Sequence, residues 1–517
     1  MNKILKYFTI ALLGAGAASC EDFFDLKPQN EMVLEEFWQN ESDALSVVGS
    51  CYRSMQEPGF MQRLLVWGEF RSDNCILGSG DGGDLNNIAN LNLLPSNGYA
   101  SWSDFYAVIN LCNTVEHFAP IAYERDPNFT LGQLNGYLAE VKTIRAYCYF
   151  TLVRAFRDIP FTTEPTIDDT VPMRLPQSDP DEIINFLIDD LKAAEPGAIT
   201  RWSQVSYTKG RITQNAVRCL IADMCLWQGR YAEAEEYCNR ILMDGNSELE
   251  LVSPNNYNKG VFIDGNSTES IFELQFNRGI IPNYAVCEFY GTAGGRGPQK
   301  QMVAYDFTTT ELWDDTDERQ YDFYFADVAG GTFPIKKFVS YRRENDIPNQ
   351  IRESDYNDVG DNAGNTNWIF YRLADVYLMK AEALTEQNKD LGEAFNLVKM
   401  VYDRANSAST DGLTGSYGNQ EAMRQLVLDE RQREFMFEGK RYYDLLRAIR
   451  KDPSRFQLIV STYLTPKYVT LDQATISSKL KNMDALYMPI KDSELKANHQ
   501  LKQNPFYEMS TDIDVKN

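Results

Sequence analysis

Seven stretches of this chain repeat their apolar residues at the spacing of an α-helix: Glu36 to Gln56, Ser103 to Ala119, Leu131 to Phe156, Asp181 to Ala194, Thr213 to Met243, Trp368 to Asn406 and Asn419 to Arg450. A helix with one apolar stripe must bury it against another element, so the chain reads as mainly α, built from helices packed on helices. Several ends are marked. Asp179-Pro180-Asp181 is a helix start, with Asp179 as N-cap and Pro180 at the first helical position. Gly439 reads as a C-cap that separates two helices. At roughly 100–200 residues per domain, 517 residues allow about three domains or one large composite fold.

One helix pair has repeat chemistry. Ala222 to Gln228, the turn at Gly229-Arg230-Tyr231 and then Ala234 place two small residues around a turn glycine, as in a tetratricopeptide repeat. Small residues let two helices approach closely, and glycine permits the tight turn. A weaker copy runs from Ala381 and Ala383 to Ala394, about 160 residues further on, too far for a tandem solenoid in the usual sense. Between the copies, residues 245–365 are rich in Gly, Asn, Asp, Pro and aromatics, with short strand-like runs at Ser270 to Phe276 and Pro334 to Tyr341. Leu77 to Tyr99 is a second Gly- and Asn-rich stretch. Loops of that length in a compact protein usually carry function.

The first twenty residues set the compartment. Lys3 and Lys6 form a positive start, Tyr7 to Leu13 an apolar run, and Gly14 to Ser19 a run of small residues ending at Cys20. This is a secretory signal peptide over residues 1–19, too short to span a bilayer. A cysteine directly after the small residues marks a bacterial lipoprotein, cut before Cys20 and acylated there, palmitate included; Ala17 stands where a larger apolar residue is usual. Several acyl chains on one residue anchor stably where one does not. No later stretch of about 18 apolar residues follows, which leaves the folded body outside the membrane. The division expected is 20–243 as an N-terminal helical region and 244–517 as a C-terminal region with the loop-rich insert at about 245–365.

Charge and composition exclude several functions. There are 50 Lys+Arg against 74 Asp+Glu, and loss of Lys3 and Lys6 with the leader takes the formal charge from −24 to −26. Such a surface repels nucleic acid and anionic bilayers. With only His117 and His499, His-rich metal sites and His-based acid–base catalysis are not expected. Apart from Cys20, the eight cysteines (Cys51, Cys75, Cys112, Cys148, Cys219, Cys225, Cys238 and Cys287) lie mostly in apolar helical stretches without C-x-x-C spacing and read as buried free thiols.

The remaining motifs offer little chemistry. Gly78-Ser-Gly80-Asp-Gly-Gly83 fits G-x-G-x-x-G in form, but no strand–turn–helix unit surrounds it and Asp81 and Asp84 would repel a pyrophosphate. Asp81, Asp84 and Asn86 offer oxygens to calcium without EF-hand spacing, so no cofactor is predicted. Cys112 and His117 are read as a core thiol and a satisfied helix histidine rather than a metal pair. No G-x-S-x-G elbow occurs. Loop aromatics are more informative. A pyranose ring stacks its C–H face on Trp or Tyr, while its hydroxyls need Asn, Asp or Arg. Trp67 precedes Arg71, Asp73 and Asn74; Tyr99 closes the first loop; Tyr284 and Tyr290 flank a Gly-rich turn with Arg296; Trp313 precedes Asp314 and Asp315. Those residues are the candidate glycan-binding set, with Trp102 assigned to the core.

Four ordered segments resemble the SusD/RagB family of Bacteroidetes outer-membrane lipoproteins. They are Cys20 to Pro28 followed by Phe37-Trp38; residues 368–383 with Arg372, Asp375 and Ala381-Glu382-Ala383, then Arg404-Ala405; residues 430–447 with Glu438-Gly439, Asp444-Leu445 and Arg447; and Pro489-Ile490, Glu494, Asn498 and Gln503-Asn504-Pro505. On a helix, Arg372 and Asp375 at i, i+3 are expected to pair, and Glu430 and Glu434 with Arg433 and Arg441 to form a buried ionic network.

The resemblance implies a SusD-like fold: tetratricopeptide-like helix pairs as scaffold, a loop-rich irregular ligand-binding region and few short strands. It also implies non-catalytic capture of oligosaccharides at the outer-membrane surface and their delivery to a SusC-like TonB-dependent transporter. Aromatic residues from the first hundred residues and from the middle region would bind the sugar, the two regions where Trp67, Tyr284 and Trp313 fall. Peptide capture in the RagB manner is the alternative, with a ligand-free scaffold and a surface glycoside hydrolase behind it.

Overall fold

A computed structural model describes residues 34–78, 83–167, 174–245, 248–291, 301–306, 312–324, 333–339, 364–407, 409, 412–413 and 417–511. The expected signal peptide over residues 1–19, Cys20, Asp81 and Arg296 lie outside these residues.

Eleven helices matter to the argument: α1 (Glu41–Met55), α2 (Pro58–Leu65), α3 (Ser103–Arg125), α4 (Leu131–Phe156), α5 (Pro180–Ala194), α6 (Gln214–Trp227), α7 (Tyr231–Leu242), α8 (Leu373–Glu386), α9 (Leu391–Ala405), α10 (Gln420–Phe435) and α11 (Arg441–Lys451). Caps explain several starts. The run that reads as one helix from Glu36 is broken at Asn40, whose side chain accepts the N–H groups of Ser42 and Asp43, while Asp43 answers with the reciprocal bond. Thr130 and Gln133 make the same box for α4. Asp179 caps α5 with Pro180 at its first position, as expected. Gly229, at φ +72°, makes the α6–α7 turn, and Gly439, at φ +74°, lies between α10 and α11.

The helices pack in sequence: α1 on α3, α3 on α4, α4 on α5, α6 on α7, α7 on α8 and α8 on α9, with α10 against both α8 and α9. The two repeat-like pairs, so distant in sequence, therefore stand side by side. Strand pairing explains this. β4 (Ser270–Leu274) pairs antiparallel with β7 (Trp368–Arg372), Ser270 opposite Arg372 and Leu274 opposite Trp368, which returns the chain after the insert to the place it left. Ala222, Ala234, Ala381, Ala383 and Ala394 are all fully buried at these helix contacts.

The other strands are short. β1 (Cys75–Leu77), β5 (Met302–Ala304) and β6 (Phe333–Pro334) form a three-stranded antiparallel sheet with β5 central; β2 (Ile159–Pro160) and β3 (Gln177–Ser178) pair separately. The strand expected over Ser270 to Phe276 is β4. The one expected from Pro334 ends early, because Phe338 adopts φ +70°, which extended chain does not; Tyr341 lies outside the described residues. One apolar core runs from Trp38 to Leu501, and a smaller one fills the space between α8, α9 and α10 around Leu378, Val398 and Phe435.

The insert is tied to the helices by a buried ionic network. Arg319 meets Asp317 at 2.7 Å, Glu430 at 2.8 Å and Glu434 at 2.9 Å, all fully buried. Arg372 meets Glu269 at 2.6 Å, Glu434 at 2.5 Å and Glu438 at 2.7 Å. Arg404 reaches Glu269 at 3.0 Å and also pairs with Glu434. Burial pushes Glu434 up, but Arg404, Arg372 and Arg319 outweigh it and hold the carboxyl well below its usual range. Glu438 is likewise buried, and Arg372, Lys337 and Lys440 bring it to about 2.

Two sequence expectations change here. Arg372 is the N-cap of α8 at the end of β7, not a helical residue, and its guanidinium pairs with Glu269, Glu434 and Glu438, while Asp375 accepts the Arg372 backbone N–H and pairs with Lys440 at 2.6 Å. Arg441 stands apart from Glu430 and Glu434 and instead binds Asp73.

Candidate functional site

The structure divides the candidate residues into buried and accessible ones. Trp67 sits in a single π-helical turn, Val66–Phe70, that continues α2. It is fully buried, its ring stacked on Phe105 at 5.1 Å and its Nε1 donating to the Tyr99 carbonyl at 2.9 Å. Such a ring has no face to offer a sugar. The polar residues that follow are structural too. Arg71 is 7% exposed and donates to the Leu486 carbonyl. Asp73 accepts two bonds from Arg441, both at 2.8 Å. Asn74 donates to Glu69 and accepts from Gln432. Tyr290 is buried, and its hydroxyl donates to the Phe437 carbonyl at 3.1 Å. Polar residues that look like ligand-binding groups in sequence thus serve to fasten residues 67–75 to the distant α10–α11 region. Trp102 is in the core, as expected.

Tyr284, Tyr99 and Trp313 keep accessible surface. Tyr284 is 49% exposed in the first turn of the short helix Tyr284–Phe289, whose start is capped by Asn283 accepting the Val286 N–H. Tyr99 is half-buried beside Arg63 of α2, which donates to the carbonyls of Gly98 and Ser101. Trp313 is half-buried against Phe323 and Tyr324, in a stretch held to α9 through Asp314 and Tyr402; no described contact joins it to Tyr284. Arg296 is outside the described residues.

The two loop-rich regions do converge. β1 and β5 pair from Cys75 opposite Ala304 to Leu77 opposite Met302, and the Gly78 N–H continues the ladder to the Gln301 carbonyl at 2.9 Å. Glu288, one helical turn from Tyr284, accepts from Gln62 of α2 at 2.6 Å and from Gln301 at 3.0 Å. The Asn283 N–H donates to the Gly364 carbonyl, and the Arg278 N–H to Asn365. One face therefore gathers α2, the Gly98–Ala100 turn, the end of β1, residues 280–291, Gln301 and the chain at Gly364. It includes the Tyr284 ring and the exposed Ile280, 80% accessible, and, one helical turn from Tyr284, the Glu288 carboxylate with the Gln62 and Gln301 amides bound to it. That is an apolar plane next to several donors and an acceptor, the chemistry a polyhydroxylated ring requires.

Other features have local explanations. The Asp84 carboxylate accepts the Gly98 N–H at 2.7 Å, and the Asn86 side chain accepts from Asn90, so both belong to the turn around Asp84–Ala89. Cys112 is in the core, while His117 is exposed on the surface of α3. The eight cysteines among the described residues are all free thiols, seven of them buried and Cys287 half-buried. A cavity of about 540 Å³ opens near Lys209 and Asp244, but its charged groups are engaged: Arg201 pairs with Glu248 at 2.8 Å, Lys209 donates to the Ser270 carbonyl and Asp244 accepts from Asn215.

Sequence reasoning missed Glu69, Gln62, Glu288 and Gln301. Glu69 had a readable signal, a single acid inside the apolar run Leu64 to Phe70. It is fully buried and accepts from Asn74, Phe437 and Gly439. Burial raises its carboxyl to about 7 against those three donors. Gln62, Glu288 and Gln301 carry no signal, since only the β1–β5 pairing brings them together.

Residues 289–507 match the model of the SusD family. The chain is 24% identical over 472 residues to SusD-like protein P38 of Formosa agariphila, covering 83% of this chain and 88% of that protein. It is 22% identical over 504 residues to a SusD-like protein of Bacteroides ovatus, covering 88% and 84%. Among solved structures, a SusD superfamily protein from Bacteroides thetaiotaomicron superposes with a TM-score of 0.71 at 20% identity, covering 91% of this chain and 99% of that one. Surface glycan-binding protein A from Bacteroides uniformis gives 0.70 at 20% identity, covering 90% and 100%. The family resemblance read in the sequence is thus borne out: residues 289–507 match the SusD family model, and the fold of the chain is similar to that of solved SusD superfamily proteins.

Proposed function

We propose that this protein is a non-catalytic cell-surface lipoprotein, anchored through Cys20 in the outer membrane, that captures oligosaccharides and passes them to a SusC-like TonB-dependent transporter. Its similarity to a protein named for surface glycan binding supports the ligand class. Among the described residues no helix is long and apolar enough to cross a membrane, which is compatible with a lipid anchor. The observation that carries the reading is the convergence of both loop-rich regions on the short helix Tyr284–Phe289, which exposes the Tyr284 ring and binds Gln62 and Gln301 through Glu288 one turn on. A face this shallow buries little of a sugar, whose hydroxyls must also shed water, so intrinsic affinity is weak. Holding the protein next to its transporter raises the effective concentration and compensates.

A second reading, peptide capture, is favoured by the tryptophans. Trp38, Trp67, Trp102, Trp227 and Trp368 are buried, and Trp202 and Trp313 are half-buried. One experiment separates the readings. The chain expressed from Glu21 is run by native electrophoresis through gels containing single polysaccharides, with reducing ends assayed in parallel. Retardation by one glycan class, weakened in Tyr284→Ala and without new reducing ends, is the expected result. New reducing ends would replace capture by hydrolysis. Retardation by no glycan, with binding to a peptide mixture, would replace sugar by peptide.

A further inference from the structure

A cavity of about 50 Å³ opens between the Ile88–Leu93 turn and the C-terminal segments bearing Tyr468, Lys479, Leu480 and Tyr507. By the same measure one water needs roughly 10–15 Å³, so the space suits a carboxylate and its first carbons, with the remainder of a ligand at the open mouth. The wall is mostly leucine and tyrosine. It carries two cations, Arg71 and Lys479, and no Asp or Glu. In a chain with 74 acidic and 50 basic residues this is a local inversion of charge.

Both cations are available. Among the described residues neither makes an ion pair. Arg71 is 7% exposed and held in place: its Nη2 donates to the Leu486 carbonyl at 2.6 Å, and its guanidinium lies 4.3 Å from the centre of the Tyr442 ring. Among the described residues its Nη1 has no acceptor. Tyr442 is itself fixed, its hydroxyl donating to the same Leu486 carbonyl at 2.7 Å. A buried guanidinium N–H without an acceptor is a cost that an incoming acceptor removes. Because the group is already oriented, little ordering is left for a ligand to impose. The carboxylate nearest in sequence, Asp73, is fully engaged by Arg441 and Gln432 and does not neutralise the pocket.

We propose that this pocket binds a carboxylate carried on an apolar body, the carboxylate against Arg71 and Lys479 and the body against Tyr468 and Leu480. Two sources share that chemistry, a free organic acid and the C-terminal carboxylate of a peptide. The pocket is separate from the Tyr284 face, so the glycan reading and this one fail independently.

The test uses the chain from Glu21 at constant ionic strength. Thermal midpoints are followed during titration with sodium butyrate and sodium benzoate, with benzamide as the uncharged match. A short peptide ending in leucine is titrated with a free and with an amidated C-terminus. The expected result is a saturable rise in midpoint with at least one carboxylate, none with benzamide or the amidated peptide, and a roughly tenfold weaker dissociation constant in Lys479→Gln, the loss of one charged contact. Lys479 is half-exposed and unpaired, so that variant keeps the fold. A response to the free acids alone identifies a small organic acid; a response to the free-ended peptide alone identifies a peptide terminus. The proposal is overturned by an equal response to benzamide, by unchanged affinity in Lys479→Gln, or by no saturable response to any carboxylate, which leaves the pocket to water.

Discussion

The Glu69 carboxylate accepts the backbone N–H of Gly439 at 2.9 Å, from 370 positions away in the chain. It also takes the Phe437 N–H at 2.8 Å, so one buried acid holds the turn between α10 and α11 against the end of α2. The fit is close on both sides. A Cβ built on Gly68 would lie 2.0 Å from the Gly439 carbonyl oxygen, a backbone atom that cannot step aside.

Gly68→Ala should therefore lower stability by about 3 kcal/mol or more, in the upper range for point substitutions. Gly49→Ala is the matched control: it lies within α1, a Cβ there would meet nothing within 4 Å, and the variant should gain up to about 1 kcal/mol. Urea midpoints for the two variants would decide the matter. Equal midpoints would mean that the two turns are not packed as described.

Stability should also depend on Glu69 through pH. Its folded carboxyl is raised to about 7 from an ordinary 4.5, with burial the main cause. Between those values the folded chain keeps a proton that the unfolded chain has lost, so stability from this group is complete below about 4.5, declines as pH rises to about 7, and is level above. At about 1.4 kcal/mol per pH unit, the decline amounts to a few kcal/mol. Glu69→Gln should be less stable overall yet lose that slope. Chemical denaturation at half-unit pH steps from 4.5 to 8 measures it, and an unchanged slope in the variant would assign the dependence to another group.

Removing one charge from the ionic network should be costly. Glu434 serves Arg319, Arg372 and Arg404 together, all buried. Glu434→Gln leaves three guanidinium groups short of an anion and should cost about 3–5 kcal/mol. The loss should be nearly the same at low and high salt, since water does not screen buried pairs. A cost below about 1 kcal/mol, or one that vanishes in salt, would place these charges at the surface.

The two aromatic candidates should separate cleanly. Trp67→Ala removes a fully buried ring and should cost about 3–5 kcal/mol. Tyr284→Ala removes a half-exposed ring and should change stability by less than about 0.5 kcal/mol while weakening glycan retardation about two- to tenfold. If Tyr284→Ala retains full retardation, the sugar stacks elsewhere.

The helical scaffold was legible because its signal is local. Period, caps such as Asp179 and turn glycines such as Gly229 depend on neighbours a few positions apart. The family motifs named the fold for the same reason. What the sequence hid were relationships across hundreds of positions. Trp67-x-x-x-Arg71-x-Asp73-Asn74 has the composition of a ligand loop, and only the distant Arg441, Gln432 and Leu486 reveal it as internal scaffolding. Arg372 and Asp375 have helical spacing, and only the β4–β7 pairing shows that Arg372 ends a strand. Tyr284 stands out in sequence as a loop aromatic and is half-exposed, but Gln62 and Gln301, which bind Glu288 one turn on, come from elements that meet through β1 and β5.

The fastening of residues 69–74 to the far end of the chain also bears on when the protein can fold. Asp73 waits for Arg441, Glu69 for Phe437 and Gly439, and the carbonyls of Phe70 and Ser72 for the Lys467 ammonium. While the chain is still emerging from the ribosome none of these partners exists, and contacts so far apart in sequence form slowly even afterwards. Early helices can form and fray, but the first hundred residues cannot reach their final state until nearly the last hundred have been made.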